Sequence, residues 1–384
     1  MRKANGLGGA LALAISLLLG AAPAGADVAS DRAASILVYP KIVVDSGQGV
    51  DTLIQLSNTS QSLVQLHCFY IDATSHCSIS GVACDPEDPE PCPNSADLCL
   101  PGWQEVDFRV FVTAEQPLGW VASRGLADDL LPLDGRFLVG PTGESNVGTR
   151  IPPVSEDPFI GELKCIVTDE NGRAIARNVI KGEATITRTA FDITKGGPDE
   201  VEIDVAKYNA IGIQGIEGDS NGDNMLVLGS NEYNGCPNIL VMDHFFDFAV
   251  NPAAPTGNAV ASRLTLVPCQ QDLLNQVPGG TTVQYLVFNE FEQRFSTSRP
   301  MQCLFDSALS RIDTRNPLRS IFSVYVAGTL TGQTRIRGVS AGLLGILTET
   351  LATSADGSIA RARTAAVNLH KQGVREQPDQ IVLP

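Results

Sequence analysis

The chain has 384 residues, and 43 acidic against 27 basic side chains leave it with a formal charge of −16. A balance of that sign repels nucleic-acid phosphates and anionic membrane surfaces, so no nucleic-acid partner is expected. With 43% hydrophobic and only 18% charged residues, the composition argues against a disordered chain and supplies apolar material for about two or three packed domains.

The first residues have the layout of a secretory leader. Arg2 and Lys3 precede the apolar run "LGGALALAISLLLG", and the small residues "AAPAGA" follow, with Ala24 and Ala26 where a signal peptidase reads. The apolar run is too short to span a bilayer, so residues 1–26 are expected to be a signal peptide cleaved before Asp27. No later stretch is apolar for long enough to cross a membrane. The expected address is therefore the periplasm or the extracellular space, and loss of Arg2 and Lys3 makes the mature chain more acidic still.

Downstream, alternation with period two dominates and predicts half-buried strands. In "SLVQLHCFYID" Val64, Leu66, Cys68 and Tyr70 share one face, while Gln65, His67, Phe69 and Ile71 take the other. In "VDFRVFVT" the inner set is Phe108, Val110 and Val112. "GELKCIVT" sets Leu163, Cys165 and Val167 against Glu162 and Lys164, and Asn171-Gly172 follows as a hairpin signal. Glycines, a proline and charges in "TKGGPDE" break the pattern at 194–200. The break predicts one domain over 27–193, a linker over 194–205 and a second domain over 206–384. The second half continues with "NILVMDHFFDFAV", "ASRLTLVPC", "TVQYLVFNEFEQRFSTS" and "SIFSVYVAGTL"; "AGLLGILTETLA" from Ala341 is its one helical candidate. A faint echo links "DTLIQLSNTSQSLVQLHC" with "TTVQYLVFNEFEQRFSTSRPMQC", as two copies of one plan would produce.

Short strands, turn signals about every ten residues and inward-facing cysteines predict an all-β fold. The expected architecture is two antiparallel β-sandwich halves of immunoglobulin-like type, with a disulfide-rich acidic loop, residues 77–99, inserted in the first. The stretches "ILVYPKIVVDSGQGVDTLIQLSNTSQSLVQLHCFYID", "GELKCIVTDENG" and "NEFEQRFSTS" resemble uncharacterised exported bacterial β-sandwich proteins. That resemblance implies a fold and an address; it brings no activity and no catalytic residues.

Nine cysteines follow the leader, and in an exported chain disulfides are expected, with one thiol left over. The cluster "CSISGVACDPEDPEPCPNSADLC" leaves six, seven and six residues between neighbours, whereas structural zinc sites use close pairs. No C-x-x-C at a helix start and no positioned histidine base supports thiol chemistry. The cluster thus reads as a staple, nested as Cys84 with Cys92 inside Cys77 with Cys99, that holds the acidic loop out as an exposed projection. Cys68 with Cys165 and Cys269 with Cys303 are the other expected pairs, leaving Cys236 odd.

Three further patterns bear on function. "GVSAG" matches G-x-S-x-G and would make Ser340 a nucleophile, with Asp356 and His370 as partners, but that motif needs a strand–helix elbow in a parallel sheet. "GDSNGDN" spaces Asp219, Asn221 and Asp223 as in the start of a calcium loop, yet Ser230 stands where the closing acid belongs. "NTS" at Asn58 matches a glycan acceptor and equally a turn. Of the four histidines, His244 reads as an interior or rim residue. The expected function is that of a non-enzymatic exported protein, structural or recognising an envelope protein or glycan. Calcium-dependent binding and a serine hydrolase built on Ser340 are the alternatives.

Overall fold

The computed structural model describes residues 28–88, 90–126, 150–192, 199–216, 223–249, 259–353 and 361–384. The expected signal peptide lies outside them, as do Asp219, Asn221 and Asp356. No helix among the described residues is long and apolar enough to cross a membrane.

The chain is all-β. Its first half runs through β1 (Ile36–Val44), β2 (Val50–Asn58), β3 (Val64–Asp72), the short β4 (Ser75–Cys77), β5 (Ala83–Cys84) and β6 (Cys99–Leu100), then β7 (Gln104–Val112), β8 (Pro117–Val121), β9 (Phe159–Thr168), β10 (Ile180–Asp192), β11 (Asp199–Asn209) and β12 (Ile211–Ile213). A five-stranded sheet in the order β12-β1-β9-β3-β7 faces a four-stranded one, β11-β10-β2-β8. All pairs are antiparallel. Between them lie the inward residues of the alternation: Val64, Leu66, Cys68 and Tyr70 from β3, with Phe108, Val110 and Val112 from β7 and Leu163, Cys165 and Val167 from β9. Cys68 and Cys165, opposite each other across β3 and β9, form the expected disulfide.

The second half contains β13 (Met225–Leu228), β14 (Pro237–Phe245), β15 (Val260–Pro268), β16 (Gln271–Asp272), β17 (Gly280–Asn289), β18 (Arg294–Gln302), β19 (Phe305–Ala308), the one-turn helix α1 (Val324–Ala327), β20 (Thr331–Gly338), β21 (Leu343–Thr353), β22 (Arg361–Asn368), β23 (His370–Val374) and β24 (Asp379–Val382). Its sheets are β23-β14-β20-β17-β18 and β22-β21-β15-β19, facing each other across a second apolar core. Strand for strand these orders repeat those of the first half: β14, β15 and β17 match β1, β2 and β3, and β18 to β23 match β7 to β12. The fold is thus duplicated. The sequence echo, however, aligns β2–β3 with β17–β18, one strand out of step.

Two sequence expectations are corrected. The linker over 194–205 holds most of β11, which pairs with β10 from Glu183↔Asn209 to Asp192↔Asp199, so its second part is strand and not a link between domains. The helix from Ala341 is strand β21 instead, paired with β15 and β22. The glycines that weaken a helix there serve close approach: a Cβ on Gly345 would stand 2.5 Å from the Thr265 carbonyl oxygen.

A third core seals the halves together. Ile36, Val38, Phe69, Ile71 and Ile166, from the outer face of the first sandwich, pack on Leu226, Leu228, Val267, Leu344 and Ile381. The small sheet β13-β24-β16 contributes part of this covering layer. Strands β1, β3 and β9 are therefore buried on both faces. In the seam Cys269 is bonded to Cys236, which corrects the expected pairing of Cys269 with Cys303. Cys303 follows β18 at a positive φ of 61° and stays a buried free thiol.

Candidate functional site

The cystine loop is a departure from the duplicated plan. It fills the connection between β3 and β7, where the second half has only a tight turn between β17 and β18. Within it β4 pairs with both β5 and β6. The nested disulfides expected from spacing are corrected here: Cys77 bonds Cys92, and Cys84 bonds Cys99. Cys77 does stand opposite Cys99 in the ladder, but the small sheet brings Cys84 and Cys99, on its two edge strands, to a Cα separation of 5.9 Å. Cys77 reaches forward instead to Cys92, also at 5.9 Å. Asp97 completes the staple by accepting from the Ile79 amide at 2.7 Å and from the Ser80 amide at 3.0 Å.

One acid of this loop, Glu87, is turned away from solvent, while Asp85, Asp88 and Glu90 stay exposed as its composition suggested. Glu87 turns onto the second half, where its carboxylate accepts from Ser307 Oγ and pairs with Arg263 Nη1 at 3.3 Å. Arg311 Nη1 donates to the Glu87 carbonyl at 2.7 Å. Behind this latch Asp306 takes Lys41 Nζ at 2.7 Å and also binds Arg263 and Thr265. Lys41 reaches it from a bulge in β1, where the register shifts between Tyr39 and Ile42 and the Tyr208 hydroxyl accepts from the Lys41 amide. Burial opposes ionisation of Asp306, but Arg263 and Lys41 outweigh it and hold the carboxyl well below its usual range. Burial in turn pushes the Lys41 amine down against the pull of Asp306. Between loop and seam lies a cavity of about 510 Å³ walled by Phe159, Met301 and Phe305 on its apolar side and Arg263 and Arg299 on its polar side.

Besides the exposed Asp85, Asp88 and Glu90, the loop shows solvent an apolar edge. Ile79, Val82, Leu98 and Leu100 are 68%, 51%, 65% and 48% exposed. The ladder brings them together: the Ser78 amide donates to the Leu98 carbonyl, the Cys77 amide to the Val82 carbonyl, and His76 stands opposite Leu100. At the equivalent connection of the second half Phe291 is 73% exposed. Asn289 in that turn donates to the Ala327 carbonyl, which places α1 and its exposed Tyr325 alongside.

The other sequence candidates are not brought together. Ser340 sits in the turn from β20 to β21, where its hydroxyl meets Thr281 Oγ1 at 3.1 Å and the Gly280 carbonyl at 3.3 Å. His370 opens β23 opposite Val241. The G-x-S-x-G pattern is thus a strand-to-strand turn, not an elbow leading into a helix. Asp223 Oδ1 accepts from the Met225 amide, and Glu232 accepts from the Val227 amide. Sulfurs of Cys77, Cys84 and Cys92, and of Cys236 and Cys269 beside Asp379, lie close enough to share an ion; all five are committed to disulfides. Asn58 is buried, and its Nδ2 donates to the carbonyls of Ser62, Val112 and Thr113. That amide closes a turn and is shut off from a glycosylating enzyme. His244 is interior, as its pattern suggested, bonded to Thr334 Oγ1 at 2.8 Å and packed on Phe246 and Phe322.

A buried polar triad escaped sequence reading. Glu162 and Lys164 were set on the outer face of β9, and that face is covered by the second half. Lys164 Nζ lies 2.7 Å from Glu162 Oε1 and 2.6 Å from Gln271 Oε1, and Gln271 Nε2 donates to Glu162 Oε1. All three side chains are almost fully buried. Two opposite charges on alternate residues of a strand were the one signal available, and on a solvent-facing sheet the same pattern is commonplace.

Compared with protein-family models and with curated proteins, the chain matches none. The site itself therefore carries the functional reading. Four disulfides in an all-β chain point to a non-cytoplasmic protein.

Proposed function

We propose that this is an exported, non-enzymatic recognition protein, which docks a partner protein of the cell envelope on the apolar edge of its cystine loop. The observation that carries this is the exposure of Ile79, Val82, Leu98 and Leu100 together on a loop fixed by two crossed disulfides and by the Glu87 latch. A few large apolar side chains held rigidly in solvent lose little conformational entropy on docking, and such anchors dominate interface energies. The leader-like N-terminus agrees with export, and the net charge of −16 keeps the protein from adhering to nucleic acid or anionic lipid.

The test compares wild type with Ile79→Ser, Leu98→Ser as bait against the envelope fraction of the source cells. Both positions are exposed, so the double variant should melt within about 0.5 kcal/mol of wild type. A partner retained by wild type, identified by mass spectrometry and released by the double variant supports the reading. Identical recoveries from the two baits overturn it.

A further inference from the structure

We propose that Lys164 and Gln271 become joined by an isopeptide bond across the seam, with the Glu162 carboxyl carrying the proton. The amine, the carboxamide and the carboxyl form a closed triangle: Nζ is 2.6 Å from Gln271 Oε1 and 2.7 Å from Glu162 Oε1, and Gln271 Nε2 is bonded to that same Glu162 oxygen. The acyl carbon Cδ is bonded directly to the amide oxygen that Nζ touches, so a small side-chain rotation brings amine to carbon. Groups held so reach effective molarities on the order of 10⁵–10⁸ M, which offsets the poor reactivity of an amide toward amines in water. Phe69 and Ile71, opposite Lys164 and Glu162 across β3 and β9, belong to the apolar seam that keeps out the water that would otherwise compete for the acyl group.

In the step itself the Lys164 lone pair attacks Cδ, the Nζ–Cδ bond forms and the Cδ–Nε2 bond breaks. Nε2 leaves as ammonia, taking the proton that Nζ gives up through Glu162. One amide and one amine become one secondary amide plus ammonia, and no oxidant or cofactor is consumed. Protonation states suit this chemistry. Burial pushes the Lys164 amine down, toward the neutral nucleophile, and pushes the Glu162 carboxyl up, toward the neutral acid. Glu162 Oε2 has no hydrogen-bond partner and can hold that proton.

The contrast with Lys41 is instructive. Its partner Asp306 is held ionised by two cations, and a carboxylate resists attack by an amine, so that pair stays an ion pair. Gln271 offers an uncharged acyl group to a neutral amine. The product would tie β9 of the first half to β16 of the second, residues 107 apart in sequence.

Intact mass of the purified full-length protein tests this directly. The expected mass is lower by one ammonia than the sequence from the purified chain's own N-terminal residue, minus the hydrogens lost to four disulfides. After reduction and trypsin digestion one branched peptide should contain both Lys164 and Gln271, with cleavage after Lys164 blocked. Glu162→Gln and Gln271→Leu should each restore the missing ammonia. A wild-type mass explained by disulfides alone, or a missing ammonia that maps to an asparagine elsewhere, overturns the proposal. The wild-type measurement needs no variant to fold, and its failure leaves the recognition reading untouched.

Discussion

Asp306→Asn probes the ionic lock between the halves. The side chains of Lys41 and Asp306 are only 10% and 4% exposed, while Arg263 is 36% exposed. Removing the carboxylate charge strands the Lys41 ammonium in the seam, and breaking a buried pair from one side costs about 3–5 kcal/mol. Arg263 loses less, because it keeps solvent and Glu87. Lys41→Met leaves Asp306 with Arg263 and Thr265, so its expected cost is that of one charged hydrogen bond, about 1.5–3 kcal/mol. In the double variant no ammonium remains to be stranded, so its cost should fall below the sum of the singles by about 1–3 kcal/mol. Urea unfolding at neutral pH, disulfides intact, gives all three values from midpoints and slopes. The Asp306 contribution should be fully present above its ordinary value of 3.8 and lost only as pH falls through its lower folded value. An Asp306→Asn cost under about 1 kcal/mol, or a strictly additive double variant, would refute the lock.

His244 is expected to make stability depend on mild acid. Burial lowers it from 6.5 to about 4, so the unfolded chain takes the proton first and stability falls as pH drops from about 6.5 to about 4. The loss is about 3 kcal/mol; urea midpoints across that range should flatten in His244→Gln, and parallel curves would sink the assignment. Non-reducing peptide mapping should recover Cys77–Cys92, Cys84–Cys99 and Cys236–Cys269, with Cys303 alkylated only after denaturation. A Cys269–Cys303 peptide from native protein would contradict the seam.

Much of the fold was legible because a strand in a sandwich writes its facing directions into its sequence. The inward sets of β3, β7 and β9 are those the alternation picked out, and the Cys68–Cys165 bridge follows from them. What alternation cannot report is what covers the outer face. Phe69, Ile71, Glu162 and Lys164 read as outward and are outward from the first core, yet they are buried in the seam. The same blindness explains the acidic loop: "DPEDPEP" is correctly read as unable to form a core, but its partners Arg263, Ser307 and Arg311 lie far along the chain. Hairpin and linker signals are also alike, which is how β11 was read as a break.

The duplicated topology and the seam together bear on how the loop can be rigid. A connection the length of the cystine loop, tied at only its two ends, would sample many orientations even with its disulfides closed, because those disulfides lie within the loop itself. Orientation comes from two ties: His76 on β4 meets Glu156 of the first half at 2.9 Å, and Glu87 meets the second copy through Arg263 on β15, Ser307 on β19 and Arg311 just beyond it. The second copy holds station only because the seam buries one face of β1, β3 and β9 against it. A first sandwich on its own would expose Val38, Phe69, Ile71 and Ile166 and would lose the latch in the same stroke. The apolar edge of the loop is thus presented in one fixed direction by the pair of sandwiches, and by neither alone.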